Sequence, residues 1–376
     1  MHFSEPSSNP ERYAADNLLR LSCAESSSLK IDRNAYPTTR SVKQEIDKAR
    51  LLHRTLKTDC AKQALGVRDG KELDLLLLEK SMNRIIDSTI ANPQTHIWLL
   101  NTDPTDRTDT DYCVRAAIWA VVLARQVGLP TREMKILCTV TLLADIGMQL
   151  LPERLVNKRG PFRKREFLAY RKHLDFGVEL ISHYTDLDDR MTGIIHCHHE
   201  RQDGRGIPNK LRGKQIPLLA RFANLAYCLE RLLVSNGEGP ATPPSKAITK
   251  LYKQRALKFP EQLIVELIHV MGAYPIGSLI TLSTGEVGLV LEQNLQGKLP
   301  PKIAVLTDEG KALLDDPDVV DLANQRKSKV DRFIVSSYRS QNSSKRLGEG
   351  RDLDPRNYSL SFFGKRVGIG SFTVRF

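Results

Sequence analysis

The segment from His196 to Pro208 holds more metal-binding and phosphate-binding chemistry than any other stretch of this chain. It runs His-Cys-His-His-Glu-Arg-Gln-Asp-Gly-Arg-Gly-Ile-Pro, so three imidazoles and a carboxylate fall within five residues. Imidazole is the commonest transition-metal ligand near neutral pH. Gly204 and Gly206 follow at once and, having no Cβ, allow the backbone to approach a ligand closely. These residues predict one wall of a metal-assisted site.

Two further candidates lie upstream at wide spacing. Asp145 ends an apolar helical stretch, and His173 sits in the charged segment Tyr170–Gly177. A carboxylate that bridges two metals, with histidines from separate helices, is one way for a helical bundle to build a phosphodiester-cleaving centre. Simpler interpretations stay open, because Asp145 could cap a turn and a single histidine in a charged helix is usually a surface residue. The adjacent pair His198 and His199 is the stronger signal.

The elements that must position these residues are mainly helical. Apolar residues at helical spacing, with caps and breakers, predict helices over residues 43–65, 71–91, 111–127, 131–146, 161–184, 187–200, 217–235, 245–258 and 260–271. Alternating patterns with a Thr-Gly turn predict strands over residues 279–282, 286–291 and 302–306. The predicted fold is therefore mainly α with a small antiparallel β extension at the C-terminal side.

Length and composition suggest a globular protein of several parts. The 376 residues allow about two to three domains at roughly 150 residues each. We predict a loosely ordered segment 1–45, an N-terminal helical module 46–105, a site-bearing helical domain 106–272, a β extension 273–335 and a basic tail 336–376. The longest apolar run, Ala116–Ala124, is too short for a membrane span. With a polar N-terminus, this favours a cytoplasmic location.

The net charge of +12 is uneven, and +8 of it lies between Arg326 and Phe376. A basic tail can bind nucleic acid or an anionic membrane surface. We favour a solvated tail, because nothing there matches a helix-turn-helix or a zinc finger, so no nucleic-acid partner is predicted. The six cysteines are scattered without a Cys-x-x-Cys pair, which argues against a zinc knuckle or a disulfide framework.

The order of these features resembles the HD-GYP subgroup of the HD superfamily of metal phosphohydrolases. The matching pieces are Leu143–Gly147, Leu151-Pro152, Lys158–Gly160, Glu166, His173-x-x-x-Gly177, His198–Gly206, Ile216-Pro217 and Arg221. Tyr274–Ser278, Leu282–Glu286 and Gln293-Asn294 resemble the C-terminal extension of that family, and Ser88 with Asn92-Pro93 resembles its N-terminal module. The resemblance implies an HD-type helical domain that acts on cyclic di-GMP, a bacterial second messenger.

The chain departs from the family pattern at several positions. Tyr112, Ala144 and Tyr227 stand where the resemblance places two histidine ligands and an aspartate ligand. Met148 replaces a lysine, and Ile207 replaces the tyrosine of the Gly-Tyr-Pro signature. Four of seven implied metal ligands therefore persist, namely Asp145, His173, His198 and His199. The bulky Tyr112 and Tyr227 are expected to fill the vacated space and to bond through their hydroxyls.

Two functional hypotheses follow. The favoured one is a degenerate HD-GYP signalling protein that acts by binding cyclic di-GMP or a signalling protein partner, with divalent metal at reduced or no occupancy. The alternative is a phosphodiesterase that cleaves cyclic di-GMP to linear pGpG or GMP, using one or two iron, manganese or zinc ions. In that case Asp145 and Asp203 are the catalytic residues. The predicted ligand-binding loop residues are Arg201, Gly204, Arg205, Gly206, Ile207 and Pro208. A weaker third hypothesis is an enzyme that acts on another phosphoester.

Overall fold

The computed structural model describes residues 29–103, 108–158, 160–184, 187–234, 242–293, 300–325 and 331–339, with two residue pairs at 368–369 and 372–373. Most of the predicted N-terminal segment and most of the predicted basic tail lie outside these described residues. Among the described residues, no helix combines the length and the apolar character that crossing a membrane requires.

The body of the protein is helical, as the sequence predicts. The helices are α1 Val42–Arg68, α2 Leu75–Ala91, α3 Pro93–Thr102, α4 Asp109–Val127, α5 Thr131–Leu143, α6 Glu153–Val156, α7 Lys164–Ser182, α8 Arg190–His196, α9 Leu218–Leu233, α10 Pro244–Lys253 and α11 Glu261–Met271. Short 3₁₀ helices cover Ile146–Leu150 and Gly213–Gln215. Helix α3 is not among the helices predicted from the sequence.

Helices α4 and α9 form the centre of the bundle. Helix α4 begins at its cap Thr108, whose side chain accepts the Asp111 amide, and ends at Gly128 in the left-handed conformation. Its middle, from Ala116 to Ala124, is almost completely buried. The buried carboxylate of Glu230 on α9 accepts from Arg115 Nε at 2.7 Å and from Trp119 Nε1 at 3.0 Å. This buried ion pair fixes the rotation of α9 against α4.

A chain of buried polar groups joins the three N-terminal helices. Ser88 donates its hydroxyl to Glu45 Oε2 at 3.0 Å, and His96 Nε2 lies 3.0 Å from the same hydroxyl oxygen. His96 Nε2 is therefore the donor to Ser88, and His96 Nδ1 accepts from His53 Nε2 at 2.9 Å. The two imidazole rings stack with centroids 5.1 Å apart. These two histidines lie 43 residues apart along the chain, so their spacing does not predict that they meet.

The two buried histidines, His53 and His96, predict that acid destabilises the protein. Burial lowers the pKa of His96 to about 4, and burial together with the charge of His96 lowers the pKa of His53 well below its usual value. Because the unfolded histidine titrates near pH 6.5, the unfolded chain binds more protons below that pH. Stability is therefore complete above about pH 6.5 and falls as the pH drops toward 4, by about 2 kcal/mol at pH 5 for His96 alone.

Urea unfolding at pH 7 and at pH 5 measures this loss. The His96→Gln variant keeps an acceptor and a donor but does not titrate, so it is expected to lose the contribution of His96 to the pH dependence, about 2 kcal/mol at pH 5. His183→Gln, at an exposed histidine, is the matched control. An unchanged pH dependence in His96→Gln would contradict the prediction.

The C-terminal side carries an antiparallel sheet in the order β4-β3-β2-β1-β5. The strands are β1 Ser278–Leu282, β2 Val287–Glu292, β3 Lys302–Thr307, β4 Leu313–Asp321 and β5 Ile334–Arg339. The first three match the predicted strands closely. The sequence does not predict β4 and β5, and β5 continues beyond the predicted end of the extension at residue 335. Residues 368–369 and 372–373 pair as a short separate hairpin.

Candidate metal centre

Four side chains from three parts of the helical body converge on one point. Asp145 Oδ1 lies 3.4 Å from His198 Nε2, 3.6 Å from His173 Nε2 and 4.0 Å from His199 Nε2. One ligand atom from each residue lies within 4.8 Å of the others. These are the four residues that the sequence analysis assigns as metal ligands. We refer to them as the four-residue cluster.

The close packing of α7 against the Ile146–Leu150 turn places Asp145 opposite His173. A Cβ on Gly147 would lie 2.1 Å from the carbonyl oxygen of His173 and 2.6 Å from the amide nitrogen of Gly177. No side chain fits in that gap, so glycine at residue 147 sets the distance between the two backbones. His198 and His199 come from the turn that follows α8. That helix ends at His196 rather than reaching Glu200, so both ligand candidates lie just beyond the helix.

Backbone carbonyls orient two of the histidines. His173 Nδ1 lies 2.6 Å from the Tyr170 oxygen, and His198 Nδ1 lies 2.6 Å from the Ile195 oxygen. A carbonyl only accepts hydrogen bonds, so each Nδ1 carries the proton and each Nε2 presents a lone pair to Asp145. A carbonyl partner of this kind commonly fixes the ring of a metal-bound histidine.

The protonation states suit metal binding. Burial acts to raise the pKa of Asp145, but the approach of His198, His173 and His199 outweighs it, and the pKa lies well below its ordinary value. Burial lowers the pKa of His173, and burial together with His198 lowers that of His199 well below its usual value. At neutral pH the cluster therefore offers the ionised carboxylate of Asp145 and the neutral imidazoles of His173 and His199.

The ligand atoms of the four-residue cluster have no hydrogen-bond partner in the described structure. Asp145 Oδ1 and the Nε2 atoms of His173, His198 and His199 are all buried without a hydrogen bond among the described residues. Four orphaned polar atoms pointing at one another cost free energy, because each has lost water without gaining a partner. A divalent cation accepts lone pairs from all four, so the residues present fit one metal ion.

Comparisons with known proteins agree with this geometry. A family model described as an HD domain matches residues 96–263, and a model described as a KOW domain associated with HD domain matches residues 279–345. A cyclic di-GMP phosphodiesterase of Pseudomonas aeruginosa is 26% identical over 298 residues, which cover 79% of this chain and 71% of the relative. The chain therefore carries an HD domain and is similar to a cyclic di-GMP phosphodiesterase, in keeping with its resemblance to the HD-GYP subgroup.

Two other comparisons extend this assignment. A 3'3'-cGAMP-specific phosphodiesterase of Vibrio cholerae is 25% identical over 213 residues, which cover 55% of this chain and 41% of the relative. This chain therefore spans under half of that relative. A solved HDG"Y"P protein from Bdellovibrio bacteriovorus has the same fold, with a TM-score of 0.50 and 19% identity, over 69% of this chain and 78% of that chain.

The three departures from the HD-GYP ligand pattern meet in one place. Cys113, Ala116, Ala144 and Tyr227 form a small buried cluster, and Tyr112 packs against it. The rings of Tyr112 and Tyr227 lie 5.3 Å apart, and the Tyr227 ring lies 6.0 Å from that of His198. We call these five residues the tyrosine plug. It packs directly beside the four-residue cluster.

The plug hydroxyls bond away from the four-residue cluster. Tyr227 donates to the Thr141 carbonyl at 2.8 Å, and Tyr112 donates to the Tyr227 carbonyl. Burial raises the pKa of both phenols well above the ordinary value, so they stay protonated. The tyrosines fill space as expected from the sequence, but their hydroxyls do not lie between Asp145 and His173, which face each other directly.

The glycine-rich loop after His199 is braced internally. Asp203 accepts from Arg201 Nη2 at 2.7 Å and from the Arg205 amide at 3.0 Å. Buried Glu200 accepts the amides of Asn209 and Leu211 at 2.6 and 3.0 Å. In the described structure, Asp203 and Arg201 therefore bond to each other or to the loop, and neither bonds to the four-residue cluster.

The glycines of this loop have a packing role. A Cβ on Gly206 would lie 2.4 Å from Glu200 Cα, so the loop folds back on itself there, and a Cβ on Gly204 would meet the Arg212 side chain. The Ile207–Pro208 peptide is cis, and the Ile207 amide donates to the His199 carbonyl at 3.3 Å. Arg205 is exposed. Ligand binding by these loop residues stays a prediction.

Two features at the edge of the four-residue cluster are not predicted from the sequence. Tyr170 lies 4.7 Å from the His173 ring and stacks on Phe162 at 4.9 Å, between centroids. Arg231 lies one helical turn after Tyr227, and its charge acts on Asp145, His199 and Tyr112. The spacing of four residues from Tyr227 is the signal that could have identified Arg231.

Proposed function

We propose that this protein is an HD-GYP signalling protein that holds a single divalent metal ion and binds a cyclic dinucleotide without the turnover of a two-metal enzyme. The tyrosine plug carries this proposal. It fills the positions where the family resemblance places further ligands, while the four-residue cluster beside it stays open to one ion. The protein would then act by binding and by contact with a signalling partner.

The donor set supports iron, manganese or zinc. Three imidazoles and one carboxylate suit these metals, and they satisfy one ion if a bound ligand or water completes its coordination. When bound, such an ion polarises a phosphoryl oxygen. The chain itself supplies the ionised Asp145, the two rings oriented by carbonyls, and a braced loop beside them.

The tyrosine plug is incompatible with a second metal ion at the metal–metal distance that is usual in two-metal sites. Metals in two-metal sites lie about 3.5–4 Å apart and share a bridging carboxylate. Ala144 offers no ligand atom, and the hydroxyls of Tyr112 and Tyr227 are protonated and already bonded to carbonyls. The loss of even one outer-shell partner costs roughly 10–100-fold in affinity or activity, so three missing ligands should cost far more.

The names of the relatives suggest the ligand class. One relative is a cyclic di-GMP phosphodiesterase and another is specific for 3'3'-cGAMP. Both nucleotides present two phosphodiesters, and the anionic oxygen of one could lie at the metal. We therefore propose cyclic di-GMP as the ligand and use 3'3'-cGAMP as the comparison.

A one-metal phosphodiesterase is the second candidate. Arg205 supports it, because this residue is exposed on the loop beside the cluster and the Asp203 carboxylate accepts its backbone amide. In this reading Asp145 holds the metal, while Asp203 and Arg205 orient the phosphodiester. The expected products are linear pGpG or GMP.

Metal analysis, calorimetry and product chromatography on the purified full chain separate the two candidates. We expect one metal per chain, binding of cyclic di-GMP, and no linear product over hours. One metal with steady formation of linear product would favour the phosphodiesterase. Two metals per chain, or no binding of either cyclic dinucleotide, would contradict the proposal.

A further inference from the structure

Arg231 lies near the four-residue cluster and has no hydrogen-bond or ion-pair partner in the described part of the chain. It sits on α9 one turn after Tyr227, whose ring packs 6.0 Å from that of His198. Its charge acts on Asp145, Tyr112 and Tyr170, which belong to three other elements. Residues four apart lie on the same face of a helix, so Arg231 lies on the face of α9 that carries Tyr227 toward His198.

This guanidinium is not needed to hold the fold together. The carboxylate beside it in sequence, Glu230, is already bound to Arg115 and Trp119. Arg231 itself is exposed, and it makes no hydrogen bond or ion pair with any residue in the described part of the chain. Arg231 and the four buried polar atoms of the cluster all lack a hydrogen-bond partner among the described residues. A single ligand that contacts both would supply the missing hydrogen bonds.

We propose that Arg231 is a phosphate-binding residue of this site, and that its guanidinium takes the phosphodiester of a nucleotide whose other phosphoryl oxygen faces the four-residue cluster. The planar guanidinium binds two oxygens of a phosphate at once, which a lysine cannot do. It would supply a positive charge that the chain lacks at Met148, where the family resemblance places a lysine. The inference rests on the proposed function.

Two variants of the metal-loaded full chain test the role of this charge. Arg231→Gln removes the charge and leaves a shorter polar side chain, and should weaken cyclic di-GMP binding about 10- to 100-fold, as for a lost charge-assisted hydrogen bond. Arg231→Lys should recover part of the loss. Arg84→Gln on α2, also exposed and unpaired among the described residues, should bind as the parent does.

Metal content and salt dependence show whether the effect is local. Both Arg231 variants should keep the metal content of the parent, and Arg231→Gln should show a weaker dependence of binding on salt. Equal affinity of Arg231→Gln and the parent for cyclic di-GMP would overturn the inference while leaving the proposed function intact.

A second probe, GMP, separates this inference from the proposed function. If the parent binds GMP but not cyclic di-GMP, and Arg231→Gln loses GMP binding, the proposed function falls and the role of Arg231 stands. If the parent binds neither nucleotide, both fall.

Discussion

Replacement of Asp145 by asparagine is expected to lower the affinity for divalent metal by at least about 100-fold. Loss of an outer-shell partner alone costs roughly 10–100-fold, and Asp145 is the one charged donor of the four-residue cluster. Asparagine keeps the shape of the side chain, so the loss reports on charge and not on packing. The three imidazoles would remain, but without a carboxylate to neutralise the cation.

Thermal unfolding with and without zinc measures this change. A ligand that binds only the folded state stabilises it by RT ln(1 + [L]/Kd), so the parent should gain about 2.7 kcal/mol at 100 times Kd. The Asp145→Asn variant should gain almost nothing at the same zinc concentration. Asp175→Asn is the matched control, since this largely exposed carboxylate contacts His196 and lies outside the cluster. A full zinc-dependent shift in Asp145→Asn would place the metal elsewhere.

The predictions from sequence succeed where residue types alone reveal a chemical group and fail where a contact depends on the folded geometry. Adjacent histidines beside a glycine turn are visible in sequence, and the structure brings them to Asp145 and His173. Nothing in the segment around His173 shows that the carbonyl of Tyr170 orients its ring. That contact exists only because the turn of a helix brings residue i−3 onto the same face.

Other misses have the same physical origin. His53 and His96 form a hydrogen bond between two helices, although the two residues lie 43 positions apart along the chain. Strand β4 contains several aspartates, which disfavour strands on average, yet it pairs along the edge of the sheet with β3. The sequence predicts that the loop glycines admit a ligand, and the structure adds that Gly206 is required by the close approach of the Glu200 backbone. A pattern of residue types does not distinguish these two uses of glycine.

Restoring the missing ligands should convert the protein into a two-metal enzyme. The variant Tyr112→His, Ala144→His and Tyr227→Asp replaces the tyrosine plug with the ligands that the family resemblance implies. We expect the metal content to rise from one to two per chain and cyclic di-GMP turnover to rise at least about 100-fold, since two-metal sites stabilise both the attacking and the leaving oxygen. Adding Met148→Lys should raise the turnover further.

None of the three single variants is expected to become a two-metal enzyme, because of the packing around the substituted residues. Tyr227→Asp alone buries a carboxylate without a partner, removes the bond to the Thr141 carbonyl, and should cost about 3–5 kcal/mol of stability. In the triple variant a second metal supplies the missing charge, so added manganese should recover stability there and not in the single variant. Tyr227→Phe, which keeps the ring, controls for the lost hydroxyl. A triple variant that folds but still holds one metal would show that more than the plug separates this site from a dinuclear one.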